Sequence, residues 1–173
     1  LSALSGTTNA LVEIGNHIAN GDRNTAKQCI DKLEAHYQSF ITDLVKKPAT
    51  IAKAKAIVAE HFEFLNIILK IAYSEALSKD ILAQGELLST KLFCVYLEEQ
   101  GINHLLLPAL EFMTIDAYDE PQVGAIKVKL AQQLKQHSDK KLFITQGYIC
   151  RNARGEVDNL KRGGSDYTAS LIA

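Results

Sequence analysis

Apolar residues recur at helical spacing through most of the first half of the chain. Leu11, Ile14 and Ile18 follow a small-residue opening that contains Gly6. That pattern predicts the tail of a strand turning into a helix, which ends at Gly21-Asp22. Ile30, Leu33, Tyr37, Phe40, Ile41 and Leu44 predict a second helix over 24–44, and Lys46-Lys47-Pro48 breaks it. A third helix is predicted over 50–78, with Ile51, Ala54, Val58, Phe62, Leu65, Leu69 and Ala72 or Tyr73 on its inward face. Residues 8–78 therefore read as a mainly helical block.

The period changes beyond residue 80. Ile81-Leu82-Ala83-Gln84-Gly85-Glu86 reads as a short loop that opens a helix running to about Gln100, closed by Gly101. Asn103 to Leu107 is an apolar run after a helix stop and predicts a buried strand; Ala109 to Met113 either continues it or turns beyond it. Pro121 announces a helix over 123–137. Residues 142–149 predict a second buried strand, 151–159 a polar hairpin, and 160–169 a glycine-containing loop that opens a last helix. Helices alternating with short apolar strands over 81–173 predict an α/β layered fold with a parallel sheet. Because the chain opens on a strand tail and stops soon after its last helix begins, it is expected to be a piece of a larger domain.

Composition narrows the function classes. The chain has 173 residues, with 19 basic and 20 acidic side chains for a net charge of −1. No block of one sign occurs, which argues against nucleic acid or an anionic membrane as partner. No run of eighteen apolar residues is present, so no membrane span is expected. Cys29, Cys94 and Cys150 lie far apart and read as reduced thiols of a cytoplasmic protein. His17, His36, His61, His104 and His137 show no HxxxH or HExxH spacing, so no metal site is expected.

Three segments share one design: glycine with hydroxyl residues leading into a helix. They are Ser2 to Asn9, Gln84 to Ser89 and Arg162 to Thr168. The first turn of a helix has unpaired N–H groups and a partial positive charge that attract phosphate or carboxylate. Each segment alone is equally a tight turn with an N-cap, and Glu86 or Asp166 at a helix start can simply complement the dipole. Arg162 adds a planar fork of donors suited to a carboxylate. There is no GxxxxGK[ST], GxGxxG, HRD, DFG or GxSxG motif.

Arg162-Gly163-Gly164-Ser165-Asp166-Tyr167-Thr168-Ala169, preceded by Gln146-Gly147-Tyr148-Ile149, resembles the RGGSDYTA segment of aspartate kinases. Gly85-Glu86-Leu87-Leu88-Ser89 resembles that family's Gly-Glu helix start. Ser2-Ala3-Leu4-Ser5-Gly6-Thr7-Thr8-Asn9 resembles its Ser-Ala-x-x-Gly-x-Thr-Asn loop. The resemblance implies a three-layer αβα, carbamate kinase-like fold, truncated at both ends, with a helical block inserted. It implies transfer of the γ-phosphoryl group of ATP, with Mg²⁺, to the side-chain carboxylate of L-aspartate, the first step toward lysine, threonine and methionine. In that picture Arg162 clamps the α-carboxylate and Glu86 pairs with the amino group. Thr8 and Ser165 hydrogen-bond the substrate, and catalytic Asp166 orients the reacting groups. Gly6, Gly163 and Gly164 turn backbone amides toward phosphates.

The family's Lys-Phe-Gly-Gly-Thr strand does not occur in the chain, nor do segments resembling its adenine-binding half or its regulatory domains. The expectation is that the 173-residue piece by itself lacks kinase activity and associates with copies of itself along its open edge. Lys161 stands where the family has glycine before the arginine. Two alternatives stay open: another amino-acid kinase acting on a different acid, and a helix-rich interaction module without chemistry.

Overall fold

The computed structural model describes residues 1–161 and 163–173. Among them are seven helices and four short strands; the first three helices fall within the predicted block over 8–78, and a fourth packs against them. These are α1 (Thr7–Ala19), α2 (Arg23–Leu44), α3 (Pro48–Ile68) and α4 (Glu75–Glu99). Local chemistry sets their ends. Asp22 caps α2 by accepting from the Thr25 N–H at 3.1 Å. Pro48 occupies the first turn of α3, where its missing N–H costs nothing. Leu11, Ile14, Ile30, Tyr37, Ile41, Val58, Phe62 and Leu65 fill the space between the helices and are almost fully buried.

The third helix is shorter than its apolar period predicts. It stops at Ile68, and the backbone turns before Ser74 adopts an extended conformation and caps α4 through the Leu77 N–H at 3.1 Å. Ala72 and Tyr73, expected to face inward, are exposed. A second difference matters more for function. Residues 81–86 are not a loop but the middle of α4, which by its 25 residues is roughly 37 Å long. Gly85 is needed there for packing: a Cβ at that position would lie 2.9 Å from the Ala3 Cβ and 3.3 Å from Leu11 Cδ1. The N-terminal segment crosses α4 at that gap.

The remaining elements are β1 (Leu105–Leu106), α5 (Ala109–Phe112), α6 (Val123–Gln136), β2 (Phe143–Ile144), β3 (Ile149–Arg151), β4 (Val157–Asn159) and α7 (Gly164–Ile172). β1 and β2 pair in parallel, Leu105 opposite Phe143 and Leu106 opposite Ile144. The alternation of side chains across this pair builds a layered arrangement. Leu106 and Ile144 pack with Phe93, Cys94 and Leu97 of α4. Leu105, Leu107 and Phe143 join Phe112, Ile126 and Leu130 from α5 and α6. β3 and β4 form an antiparallel hairpin with Cys150 opposite Asp158; it begins two residues before the expected 151–159, and Ile149 and Cys150 of β3 are buried.

The opening residues are not a strand by themselves. The Leu1 nitrogen nevertheless donates to the Thr145 carbonyl at 2.8 Å, and Gly147 N–H donates to the Leu1 carbonyl at 2.8 Å. Leu1 thus lies beside the chain that continues β2, and this brings Ser2 and Ala3 over α4. Among the described residues no helix is long and apolar enough to cross a membrane, and the three cysteines are free.

Candidate active site

Three elements meet at one cleft of about 390 Å³ lined by Ser2, Ala3, Thr8, Glu86, Tyr148, Lys161, Gly163, Gly164, Ser165 and Asp166. α1 contributes Thr8 from its first turn and α7 contributes Ser165 and Asp166 from its own. Glu86 enters from the middle of α4, so its carboxylate is placed by a rigid helix interior and not by the helix start that its sequence context suggests. Both α1 and α7 begin on a left-handed glycine, Gly6 at φ 81° and Gly163 at φ 77°, and neither has a side-chain cap. Uncapped first-turn N–H groups are suited to an anion.

Glu86 is the electrostatic centre of the cleft. It is only 4% exposed; Oε1 accepts from the Ala3 N–H at 3.4 Å, and Oε2 has no partner among the described residues. Burial raises its carboxyl pKa above the ordinary value, opposed in part by nearby backbone N–H groups, that of Ala3 among them. A buried carboxylate with one free oxygen on a cleft wall is matched by a cation that arrives with a ligand. Thr8 and Asp166 are exposed, and Ser165 is half-buried.

The floor is set by close contacts that only glycine permits. A Cβ on Gly164 would sit 2.6 Å from Tyr148 Cδ2, and one on Gly147 would sit 2.9 Å from Ser165 Cα. Gly164 therefore serves packing as well as lining the cleft. Gly6 caps α1 and does not line the cleft. Tyr148 itself was not singled out as a site residue by sequence reasoning. Its φ of 66° is unusual for an aromatic residue, and its N–H is held by Thr168 Oγ1 at 3.1 Å. The only advance signal for it was the Gln-Gly-Tyr-Ile run. Lys161, on the rim, lies 3.5 Å from Asp119. Arg162, which the resemblance assigns to the α-carboxylate, lies outside the described residues.

Behind the wall, buried bonds fix α4 against the strand layer. Gln146 Oε1 accepts from the Ala109 N–H at 2.8 Å, and its Nε2 donates to Thr90 Oγ1 at 2.9 Å. Thr90 in turn donates to the carbonyl of Glu86 at 2.8 Å. On the other side Thr7 Oγ1 and Tyr37 Oη are 2.9 Å apart, which ties the start of α1 to α2.

An α/β layered fold whose helix N-termini and a buried acid line one small cleft is suited to a small ligand that carries both anionic and cationic groups. The sequence pattern of the amino acid kinase family matches residues 1–173, and the chain belongs to that family. Aspartokinases are among the proteins it is similar to. Lysine-sensitive aspartokinase 3 of Escherichia coli (strain K12) is 33% identical over 178 residues, covering 100% of this chain and 38% of that protein. The bifunctional aspartokinase/homoserine dehydrogenase 2 of the same organism is 32% identical, covering 99% of this chain and 21% of that protein. The crystal structure of E. coli aspartokinase III in complex with aspartate and ADP superimposes with a TM-score of 0.81 at 28% identity, over 100% of this chain and 38% of that one. The chain thus spans well under half the length of the relatives it matches.

Proposed function

We propose that this chain forms the substrate-side part of an aspartokinase catalytic domain, transferring the γ-phosphoryl group of ATP to the side-chain carboxylate of L-aspartate. The observation that carries this reading is that Glu86, whose Oε2 is buried and unpaired among the described residues, lines the same cleft as Thr8, Ser165 and Asp166. An amino acid with two carboxylates needs an acid for its ammonium and donors for its acid groups, and this cleft offers both. Glu86 takes the ammonium, Thr8 and Ser165 donate hydroxyl hydrogen bonds, and Arg162 is assigned to the α-carboxylate by the family resemblance.

In the transfer, a side-chain carboxylate oxygen of aspartate forms a bond to the γ-phosphorus while the bond to the β,γ-bridging oxygen breaks, giving an acyl phosphate and ADP. Such transfers depend on positioning and charge stabilisation. The uncapped first turn of α7 behind Gly163 supplies N–H groups for phosphate oxygens, and Asp166 orients the reacting groups. The exposed carboxylate of Asp166 is an oxygen ligand of the type Mg²⁺ prefers, and Mg²⁺ bound with the nucleotide would neutralise developing phosphate charge. The setting we propose is a cytoplasmic homo-oligomer that binds neither nucleic acid nor membrane.

The test is calorimetry and a coupled assay on the complete gene product that contains this chain. Aspartate-dependent ADP release, with Glu86→Gln raising the aspartate KM, supports the reading. Preference for glutamate or another acid would assign the cleft to a different substrate of the family.

A further inference from the structure

Away from the cleft, α1 and α2 bring together three side chains of different chemistry. Glu13 and His17 are four residues apart on α1 and share one face, with Glu13 Oε1 4.0 Å from His17 Nε2. Cys29 reaches them from α2. One ligand atom from each of Glu13, His17 and Cys29 lies within 4.8 Å of the other two; Glu13 is exposed, while His17 and Cys29 are half-buried. Sequence spacing concealed this group, because its members come from two helices joined by a turn.

A second observation concerns the outer side of the imidazole. Asp22 Oδ2 lies 3.6 Å from His17 Nδ1, while Asp22 Oδ1 is occupied in capping α2 through Thr25. A carboxylate on one ring nitrogen, with the other nitrogen turned toward further ligands, is how metal-bound histidines are oriented. We propose that Glu13, His17 and Cys29 form a binding site for a divalent transition metal of borderline softness, Zn²⁺ matching best, with Asp22 as the positioning residue for the imidazole. Thiolate, imidazole and carboxylate together select Zn²⁺ or Co²⁺ over Mg²⁺. Tetrahedral zinc spaces its ligand atoms about 3.3–3.8 Å apart, so side-chain rotation of about 1 Å closes the group and leaves one position for water. A metal there would clamp α1 to α2, some two turns along α1 from the end that carries Thr8.

Metal must displace the thiol proton. Binding therefore releases a proton and tightens as pH rises.

The experiment titrates Co²⁺, then Zn²⁺, into the nucleotide-free complete protein without Mg²⁺. One equivalent of Co²⁺ should produce a thiolate-to-cobalt charge-transfer band that Zn²⁺ abolishes and excess Mg²⁺ does not. Cys29→Ser should remove the band with the circular dichroism spectrum unchanged. His17→Gln should weaken binding at least tenfold. Asp22→Asn, which keeps the helix cap, should weaken it by about 10–100-fold. Absence of the band, or a band that survives Cys29→Ser, overturns the proposal and leaves Glu13 and His17 as a surface ion pair.

Discussion

The Ala3 N–H points at Oε1 of Glu86 from 3.4 Å, and it is the one hydrogen bond made by this buried carboxylate among the described residues. The segment that crosses α4 at Gly85 thus also holds the acid on the cleft wall.

Replacing Glu86 by Gln keeps the shape and removes the charge. On the proposed function, loss of a charge-assisted bond to the aspartate ammonium should cost about 1.5–3 kcal/mol, or roughly 10–150-fold in aspartate KM. Stability should move the other way. The folded carboxyl lies above its ordinary value through burial, so in that window the native state binds more protons than the unfolded state. Stability is then fully present below the ordinary carboxylate range and declines as pH rises through the raised value. The difference in denaturation midpoint between the parent and Glu86→Gln, followed from pH 4 upward, should shift against the parent as the pH rises.

Gly85→Ala should destabilise the fold even though alanine is the better helix former. The propensity gain is about 1 kcal/mol, while the new methyl meets Ala3 Cβ at 2.9 Å and Leu11 Cδ1 at 3.3 Å, an overpacking that costs about 1–3 kcal/mol. The double variant Ala3→Gly with Gly85→Ala vacates the principal contact and should recover most of the loss. Urea denaturation of the four members of this cycle measures the coupling; additive effects would count against the crossing as described.

The same glycine shows where the sequence was legible. Helix limits marked by chemistry that acts locally, such as the Asp22 cap and Pro48, were readable within a residue or two. In sequence Gly85 reads as part of a loop, because a single chain does not reveal which glycine accommodates a crossing segment. The break after Ile68 was missed for a related reason: the apolar period continues to Tyr73 while the Ser74 cap interrupts the backbone. Thr8, Glu86, Ser165 and Asp166, which the motifs single out, line one cleft. Tyr148 is not singled out, since a left-handed backbone at an aromatic residue leaves no mark on composition or period.

Tyr37→Phe should loosen the start of α1. The phenol and Thr7 Oγ1 form a buried pair at 2.9 Å, and removing one partner leaves the threonine hydroxyl unsatisfied. The expected cost is about 1–3 kcal/mol in stability. Because Thr8 is the next residue, the aspartate KM should rise as well, whereas the double variant Tyr37→Phe with Thr7→Val should regain stability. Thermal melts and steady-state kinetics on the same preparations separate the two effects.

His61 should make the fold acid-sensitive from the opposite direction to Glu86. Its Nδ1 is 2.6 Å from Gln84 Oε1, and the Gln84 amide is oriented by donating to the Asp80 carbonyl at 3.0 Å. Nδ1 therefore carries the proton, and Nε2 is a buried acceptor without a partner among the described residues. Burial lowers the folded pKa below the ordinary 6.5, against the pull of the Gln84 bond. A lowered histidine pKa means the unfolded state binds more protons, so this contribution is fully present above 6.5 and is lost as pH falls toward the folded value. His61→Gln should abolish that acid-side loss while leaving the Glu86 slope intact. If the denaturation midpoint of His61→Gln still falls in parallel with the parent between pH 6.5 and 5, the imidazole is not the buried neutral group described here.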